Sequence, residues 1–376
     1  MSPDNITRAV LARDEVARYL RDLPGTTESE TRERIEEYLE ELRTTQRYRF
    51  YRALQHPLYP ILRKVRRIAE HVDLAAAATR RGGRVVYVSN HKSHLDYLIE
   101  LLVLDDNGIR PPLIAAGINL FGGALGLLHR HVTGAIPIRR NSKDPVYLVT
   151  LKAYIAELLK ERDLLYYAEG GRSYSGELKS PKTGLLQAAL QADREGLSIV
   201  PMAIAYDLVL EERLLAREAS RRRKRPFTQE LAEMVRHAVG YRSRAVVTFG
   251  APIPLAGYDP DSRRDLVSLA HRIQDQIGRQ YKVLPTALVA AACRPRMTRA
   301  ALAQAIDELI AICAAEGANL AVSSGRQAAD DGVARLVERG VLVEERQQLR
   351  VRDRIVLRYY ARTIQHLLHR PRRTTH

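Results

Sequence analysis

The chain has 376 residues, of which 45% are hydrophobic and 28% are charged, so it can bury a large core and lacks the composition of a disordered protein. Its length suggests a main domain of about 200 to 250 residues with smaller additions rather than a single small module. Lysine and arginine total 60 against 44 acids, a net charge of +16, which predicts an anionic partner such as nucleic acid, phospholipid or a phosphorylated substrate.

Residues 1–80 are predicted to form an N-terminal helical region. Glu30–Arg49 is highly charged, and Tyr48–His71 carries aromatic residues and leucines at helical spacing. The first residues, MSPDNITRAVLARDEV, lack the apolar segment of a secretory signal, so we expect no export. Cys293 and Cys313 are the only cysteines, which fits a reducing cytoplasm.

Residues 81–284 are predicted to form an α/β domain, a mixed, largely parallel sheet with flanking helices. Its short β-rich runs are Arg84–Ser89, Pro112–Gly117, Ala135–Arg140, Leu164–Ala168, Ile199–Tyr206 and Ala245–Phe249. Helical stretches separate several of them: Ser93–Leu104, Pro145–Arg162 and Gly184–Arg194. Such alternation is typical of parallel strands joined by helices. Asp144 followed by Pro145 predicts the cap and first turn of one of these helices.

Two segments of this domain are candidates for membrane contact. Pro111–Leu128 has 18 residues without a charge, close to the length of a membrane span. Its two prolines and four glycines favour instead a strand followed by an apolar surface loop, which would touch a membrane without crossing it. Arg221–Arg225, RRRKR, fits either a solvated loop or a contact with anionic headgroups.

Residues 285–376 are predicted to form a C-terminal helical, winged-helix-like region. An alanine-rich helical segment is followed by a helix, a turn at Gly340 and two short strands. A DNA-binding module is the alternative interpretation. Glu338, Glu344 and Glu345 are poorly placed against a phosphate backbone, so we expect no nucleic acid as a partner.

The segment Val88–Tyr97, VSNHKSHLDY, runs from an apolar strand through a polar turn into an apolar helix. With Ser93 as N-cap, the carboxylate of Asp96 in the first turn would fold back towards His91, two residues before the cap. It would then accept a hydrogen bond from one imidazole nitrogen and leave the other free as a base. The alternatives are that Asp96 is only a cap, or that His91, His94 and Asp96 bind a metal. The sequence has no further ligand motif, so we expect no metal site.

Two further strands end in residues with a candidate function. Gly134–Arg140, GAIPIRR, ends in Arg139 and Arg140, a pair that suits a doubly charged phosphate. An ordinary salt-bridged strand end is the alternative. Ile199–Asp207, IVPMAIAYD, carries Pro201 at its head, where it would line an acyl chain, although a core strand explains the pattern equally well.

The segment Tyr167–Gly176, YAEGGRSYSG, leads from an apolar strand into a glycine-rich turn. It contains the acid Glu169, the backbone amides of Gly170 and Gly171, the cation of Arg172 and the hydroxyl of Ser173. Such a turn can form a concave anion-binding site, and Lys182 a little further on adds a charge. The P-loop pattern of nucleotide-binding proteins is absent.

Four blocks follow one another along the chain: NHKSHLDY, GAIPIRR, YAEGGRSYSG and IVPMAIAYD. Their order resembles that of the glycerol-3-phosphate acyltransferase family. The resemblance continues through KTG after the third block, TFGAPIPL at Thr248–Leu255 and LRYYARTIQHLL near the C-terminus, and covers roughly residues 55–368. The last two segments favour the large, membrane-associated bacterial 1-O-acyltransferase type. Tyr174 departs from the family pattern, which often has a second basic residue there, and the N-terminal region is short for that type.

The resemblance implies that an acyl thioester, acyl-CoA or acyl carrier protein, donates a fatty acyl group to glycerol 3-phosphate. Lysophosphatidate or dihydroxyacetone phosphate is the alternative acceptor. His91 would be the general base, Asp96 would orient it, and Arg139 would bind the phosphate. The rest of the pocket would comprise Glu169, Gly170, Gly171, Arg172 and Ser173, with Arg140 and Lys182 as weaker candidates and Pro201 in the acyl wall. No resident cofactor is expected, and the chain would sit at the cytoplasmic face of an anionic membrane as a peripheral or monotopic protein.

Overall fold

The structure, a computed structural model, describes residues 3–22, 27–47, 49, 52–53, 60–121, 126, 130–221 and 241–368. Three helices come first: α1 (Pro3–Leu11), α2 (Asp14–Asp22) and α3 (Glu28–Leu42). A capping box starts α3, in which the Thr27 side chain accepts from the Glu30 N–H while the Glu30 carboxylate accepts from the Thr27 N–H. These helices confirm the helical prediction for the start of the chain.

An eight-stranded mixed sheet forms the centre of the molecule. Its strands are β1 (Val65–Glu70), β2 (Arg84–Ser89), β3 (Leu113–Gly117), β4 (Ala135–Ile138), β5 (Leu164–Tyr167), β6 (Leu197–Tyr206), β7 (Ser243–Phe249) and β8 (Ile253–Pro254). The order is β1-β7-β6-β2-β5-β3-β4, with β8 paired to β6. Strands β2 to β6 run parallel, whereas β7 and β8 pair antiparallel with β6, and β1 follows the direction of β7. The predicted mixed, largely parallel sheet is therefore confirmed.

Helices link and cover these strands. They are α4 (Val72–Thr79), α5 (Asp96–Asp106), α6 (Pro145–Leu158), α7 (Gly184–Leu190), α8 (Glu212–Arg221) and α9 (Arg263–Gln280). The predicted start of α6 is confirmed, because Asp144 caps the helix by accepting from the Val146 N–H at 3.0 Å and Pro145 is the first helical residue. Tyr147 in α6 meets Tyr38 of α3 edge to face, with ring centroids 5.4 Å apart, so the N-terminal helices are joined to the sheet layer.

Strand β1 corrects the prediction that residues 1–80 are helical throughout. Val65–Glu70 lies inside the stretch predicted as a helix, yet all six residues pair with β7. The strand is at the edge of the sheet and only Val65 is fully buried, so its side chains show little of the alternation that identifies a strand. Arg66 and Arg67 give this edge the charge that opposes pairing with another chain. Tertiary pairing here overrides a helix-like spacing.

The C-terminal part is a second helical layer with a small sheet. Its helices are α10 (Pro285–Ala292), α11 (Arg299–Ala315), α12 (Gly325–Glu338), α13 (Arg354–Arg362) and α14 (Gln365–Leu368). Strands β9 (Arg296–Thr298), β10 (Leu342–Glu345) and β11 (Gln348–Val351) form an antiparallel sheet in the order β10-β11-β9. Gly340 makes the turn before β10 with a positive φ of 66°. The predicted helix, turn and two strands of a winged-helix-like region are thus confirmed.

The two segments considered for membrane contact are only partly described. The strand predicted at the start of Pro111–Leu128 is β3, and residues 122–125 and 127–128 of the expected loop lie outside the described residues. Residues 222–225 of the basic run lie outside them as well. Within the described part of the chain, every helix is too short or too polar to cross a bilayer.

The carboxyl ends of β2 and β5 position the candidate site. Ser89 at the end of β2 pairs in register with Tyr167 at the end of β5. The Asn90 side chain continues this edge by bonding both backbone groups of Ile204 in β6, at 2.8 and 3.0 Å. Parallel sheets bind ligands where their strands end, and the histidine turn and the glycine-rich turn both begin at this edge.

Candidate functional site

His91 and Asp96 are in direct contact in the turn between β2 and α5. Nδ1 of His91 lies 2.8 Å from Oδ2 of Asp96. The same oxygen accepts the backbone N–H groups of Lys92 and Ser93 at 2.6 and 2.9 Å. Because a carboxylate bonded in this way is an acceptor, Nδ1 carries the proton and Nε2 keeps its lone pair. The fold-back of Asp96 expected from the spacing is therefore present.

The cap expected in this turn differs from the one observed. Helix α5 begins at Asp96, three residues later than predicted, and Leu95 in the cap position offers no side-chain bond. Ser93 instead donates to the buried carboxylate of Glu211 at 2.9 and 3.0 Å, and the His94 N–H donates to the same group at 2.7 Å. The turn is thus tied to the loop after β6 as well as to Asp96 at the start of its own helix.

Asp96 is fully buried and both of its oxygens are engaged. Oδ1 accepts the hydroxyl of Tyr206, the last residue of β6, at 2.6 Å. Burial raises the pKa of Asp96 to about 6, while the hydrogen bonds from Tyr206, Ser93 and Lys92 act in the opposite direction. Asp96 is therefore mainly ionised at pH 7 and can support positive charge on the imidazole.

The His91 ring is buried and surrounded by cations. Burial lowers its pKa well below the usual value, and so do the charges of Arg172, Arg140, Lys179 and Lys92. His91 is consequently neutral at pH 7, the form in which Nε2 can accept a proton. One face of the imidazole stacks on the ring of Tyr167, with centroids 3.9 Å apart and planes 8° from parallel.

The glycine-rich turn after β5 is bonded to the histidine turn at two points. The N–H of His91 donates to the buried carboxylate of Glu169 at 3.4 Å, and the N–H of Ser173 donates to the His91 carbonyl at 2.9 Å. Burial raises the pKa of Glu169. Gly170 has a positive φ of 65°, a conformation that favours glycine in this turn. Glu169 and Ser173 therefore support the turn by bonding it to the histidine turn.

The two arginines predicted to grip phosphate together are directed to different places. Arg139 donates through Nε to Glu41 of α3 at 2.7 Å, and its guanidinium lies 4.9 Å from the ring centre of Tyr38. Arg140 lies beside the glycine-rich turn, where a Cβ on Gly171 would stand 3.5 Å from its Nη1. The two guanidinium groups thus contact different segments, α3 and the turn after β5. The structure thus brings Arg140, and not Arg139, to the predicted cluster.

Arg172 and Lys179 complete a group of cations with Arg140. Arg172 is buried, with its Nη1 3.9 Å from Glu211 and its guanidinium 5.4 Å from the centre of the Tyr174 ring. Nζ of Lys179 donates to the Arg172 carbonyl at 2.7 Å and lies 5.6 Å from the same ring centre. Lys179 was not predicted as a site residue. The sequence shows only that it follows the glycine-rich turn, and the shape of that turn is needed to place it beside Arg172.

Lys182 lies at the exposed edge of the site, and Pro201 lies in the interior of a strand. Lys182 is exposed, its N–H donates to the Ala168 carbonyl, and its side chain lies beside Gly170. Pro201 is buried inside β6 rather than at its head, because the strand begins at Leu197. It stands where the antiparallel partner of β6 changes from β8 to β7, a place where a missing N–H costs no ladder bond.

The C-terminal layer supports the glycine-rich turn from behind. Nζ of the buried Lys92 donates to the Gly176 carbonyl at 2.7 Å and lies 5.4 Å from the ring centre of Tyr281. Gly176 has a φ of 88°, and a Cβ there would stand 2.1 Å from the Tyr359 carbonyl oxygen. Among the described residues, no group of three or more histidine, cysteine or acidic side chains could hold a metal.

Glu211, Tyr206 and Lys179 are the functional candidates that sequence reasoning missed. Tyr206 lies within the segment IVPMAIAYD, next to its last residue Asp207, so its position carried a signal. Glu211 lies in the run LEER with no pattern that distinguishes it from a surface acid. Its burial and its bonds to the histidine turn follow only from the three-dimensional path of the chain after β6.

Comparison with known proteins gives two matches to protein families. Residues 70–205 match the Acyltransferase family model, and residues 229–371 match the model of the glycerol-3-phosphate acyltransferase C-terminal region. The glycerol-3-phosphate acyltransferase of Actinobacillus succinogenes is 38% identical over 195 residues, 50% of this chain and 24% of that protein. That of Pasteurella multocida is 36% identical over 216 residues, 56% of this chain and 26% of that protein. The chain thus spans about a quarter of the length of these relatives.

A solved structure, the 1-acyl-sn-glycerophosphate acyltransferase of Thermotoga maritima, is also similar to this chain. The two share 14% sequence identity with a TM-score of 0.33, over 72% of this chain and 92% of the other. At that score the likeness carries no argument, and the fold described above stands on the strand pairing of this chain.

Proposed function

Since the chain belongs to the glycerol-3-phosphate acyltransferase family, we propose that it transfers a fatty acyl group from an acyl thioester to the 1-hydroxyl of glycerol 3-phosphate, forming lysophosphatidate. The observation that carries the proposal is the 2.8 Å contact of His91 with Asp96 next to the cations of Arg140 and Arg172. A base with a cation cluster beside it suits an acceptor with a hydroxyl at one end and a phosphate at the other.

In this proposal Nε2 of His91 removes the proton of the acceptor hydroxyl as its oxygen attacks the thioester carbonyl. The new C–O bond forms, the C–S bond breaks, and the proton passes from His91 to the departing thiolate. The thioester is already activated, so no covalent intermediate on the protein is required. Asp96 holds the Nδ1 proton throughout and stabilises the imidazolium that forms.

Arg140, Arg172 and Lys179 would hold the phosphate. Arginine can bind a phosphate with two parallel hydrogen bonds, and a fixed phosphate keeps the hydroxyl beside the thioester. Amides of the turn at Gly170 and Gly171 would add neutral donors, and Lys182 at its exposed edge a further charge. We assign Arg139 no direct contact with the acceptor, because its guanidinium is already paired with Glu41.

The remaining expectations are part of the same proposal. Proton transfer by His91 needs neither a metal nor a resident cofactor, and acyl-CoA or acyl carrier protein would be the donor. Pro201 would help to shape β6, the strand whose far end carries the Tyr206 hydroxyl that bonds to Asp96. It would not line the acyl chain. The net charge of +16 supports peripheral attachment to the anionic cytoplasmic face of a membrane.

An acyl-transfer assay with three acceptors tests the proposal. Purified protein would be given acyl-CoA or acyl carrier protein thioester with glycerol 3-phosphate, lysophosphatidate or dihydroxyacetone phosphate, in the presence of anionic vesicles. We expect the highest kcat/KM with glycerol 3-phosphate. A clear preference for either other acceptor would overturn the choice of substrate, and no transfer with any pair would overturn the activity.

A further inference from the structure

The hydrogen bond from His91 to Asp96 does not by itself fix where the reactive nitrogen points. It holds Nδ1, but the imidazole can still tilt about that contact, and the ring torsion of histidine has no sharp minimum. The ring of Tyr167, parallel to the imidazole to within 8° at 3.9 Å, removes this freedom. A hydrogen bond in the ring plane and a ring against one face together define the direction of Nε2.

Tyr167 is itself held in place by a buried carboxyl group. Its hydroxyl donates to Oε2 of Glu100 at 2.8 Å, and the hydroxyl of Ser89 donates to Oε1 at 2.5 Å. Ser89 and Tyr167 are register partners on β2 and β5, so both side chains reach the same carboxyl of the covering helix α5. Glu100 is fully buried and lies one turn after Asp96 on that helix.

The pKa of the Glu100 carboxyl is raised, as is that of Asp96. Burial raises the pKa of Glu100 well above the usual range, and the nearby negative charge of Asp96 acts in the same direction. Glu100 therefore holds a proton to higher pH than an ordinary glutamate. A carboxyl that keeps its proton more readily can fix Tyr167 while adding less negative charge behind the histidine.

We propose that Tyr167, anchored by Glu100 and Ser89, is a positioning residue that fixes the plane of the His91 ring and so directs Nε2 towards the acceptor hydroxyl. This inference rests on the function proposed above for His91. None of the three residues needs to contact the substrate.

Substitutions at Tyr167 test the geometry directly. Tyr167→Leu removes the stacked ring and is expected to lower kcat about 10- to 100-fold, the cost of a misplaced base, while KM for glycerol 3-phosphate changes less than about threefold. Tyr167→Phe keeps the ring and loses its anchor, so its kcat should fall between those of the wild type and the leucine variant. An unchanged kcat in Tyr167→Leu, or a loss confined to KM, would overturn the proposal.

Substitutions at Glu100 separate anchoring from charge. Glu100→Gln offers Tyr167 a neutral oxygen of the same shape and should retain most of kcat with an unshifted pH profile. Glu100→Leu should reproduce the loss seen in Tyr167→Phe. The groups facing His91, namely Asp96, Arg172, Arg140, Lys179 and Lys92, stay in place in both variants. If Glu100→Gln moved the acid limb of kcat/KM, Glu100 would act through charge and the anchoring role would be wrong.

A spectroscopic measurement distinguishes failure of this inference from failure of the proposed function. In protein with labelled histidine, the carbon-bound ring protons of His91, assigned with His91→Ala, should resonate upfield of those of the exposed His131 and His271 because of the stacked Tyr167 ring. The upfield shift should disappear in Tyr167→Leu, with the far-ultraviolet circular dichroism retained. Absence of that shift in the wild type would refute the stacking even if acyl transfer were observed, whereas a shift without any acyl transfer would refute only the activity.

Discussion

The turn that carries His91 and the strand end that carries Arg139 and Arg140 are built in different ways. In the turn, the bonds to Oδ2 of Asp96 join residues at most five positions apart, and Oδ1 accepts from the distant Tyr206. At the end of β4, Arg139 is paired with Glu41, 98 positions away, and Arg140 lies against Gly171. The bond that sets the tautomer of the proton-accepting group is thus local, whereas the charge proposed for the phosphate depends on how distant segments pack.

The largest effect should come from breaking the local bond of the turn. Asp96→Asn replaces the acceptor of the Nδ1 proton, so the imidazole loses both its preferred tautomer and its charge support. We expect kcat for acyl transfer to fall about 10² to 10⁴-fold with a small change in KM for glycerol 3-phosphate. Asp105→Asn, the same substitution on the same helix at a half-buried site, is the control and should keep its activity. A fall below tenfold in Asp96→Asn would argue against the pair.

The next effect compares the two arginines at the strand end. Arg140→Ala should raise KM for glycerol 3-phosphate about 10- to 100-fold, the loss of a charged hydrogen bond to the phosphate, with a smaller change in kcat. Arg139→Ala, at the neighbouring position, is the matched control and should change KM less than about twofold. Steady-state kinetics with varied acceptor measures both, and the reverse order of the two effects would return the phosphate to Arg139.

Lys179 connects the two regions, because its charge is proposed to act on the phosphate and also lowers the pKa of His91. Replacing Lys179 with Met removes a positive charge near the imidazole, so the pKa of His91 should rise. The base then becomes protonated at a higher pH than in the wild type. The acid limb of kcat/KM, which lies below about pH 6.5 in the wild type, should therefore move to higher pH. A limb that stays in place or moves to lower pH would contradict this placement of Lys179.

The smallest effect should be on stability. Arg139→Ala removes the pair with Glu41 and the contact with the Tyr38 ring, both with a guanidinium that is 40% exposed. The free energy of unfolding should fall by about 1 kcal/mol, since partly exposed ion pairs and cation–π contacts contribute little. Urea unfolding measures this change, and a loss several times larger would mean that α3 depends on this pair more than its exposure suggests.

The same contrast explains which parts of the molecule could be predicted from sequence. The central strands β2 and β5 are apolar runs bounded by turns, so each could be predicted from its own segment. The contact of His91 with Asp96 could be predicted in the same way, because the two residues are only five positions apart. Strand β1 could not, because its pairing with β7 and not its own pattern makes it a strand. The start of α5 was placed too early for a related reason: Ser93 bonds to Glu211, which is 118 residues further on.

The placement of side chains that depend on long-range packing could likewise not be predicted. The choice between Arg139 and Arg140 is made by α3 and by the turn after β5, neither of which the sequence GAIPIRR contains. Tyr167 and Glu100 are separated by 67 positions and meet only because β2 and β5 are neighbours under α5. The division of the chain at residues 80 and 284 stays a prediction, although β1 shows that the main sheet includes residues before 80.

The most direct test of the account is the turnover of glycerol 3-phosphate by His91→Ala. Its kcat would be compared with that of the wild type and of His271→Ala, an exposed histidine on α9, with acceptor binding measured separately by calorimetry. The account predicts that His91→Ala binds glycerol 3-phosphate nearly as well as the wild type while kcat falls about 10² to 10⁴-fold. A kcat equal to that of His271→Ala would contradict it, because the proton of the acceptor would then be removed by another group.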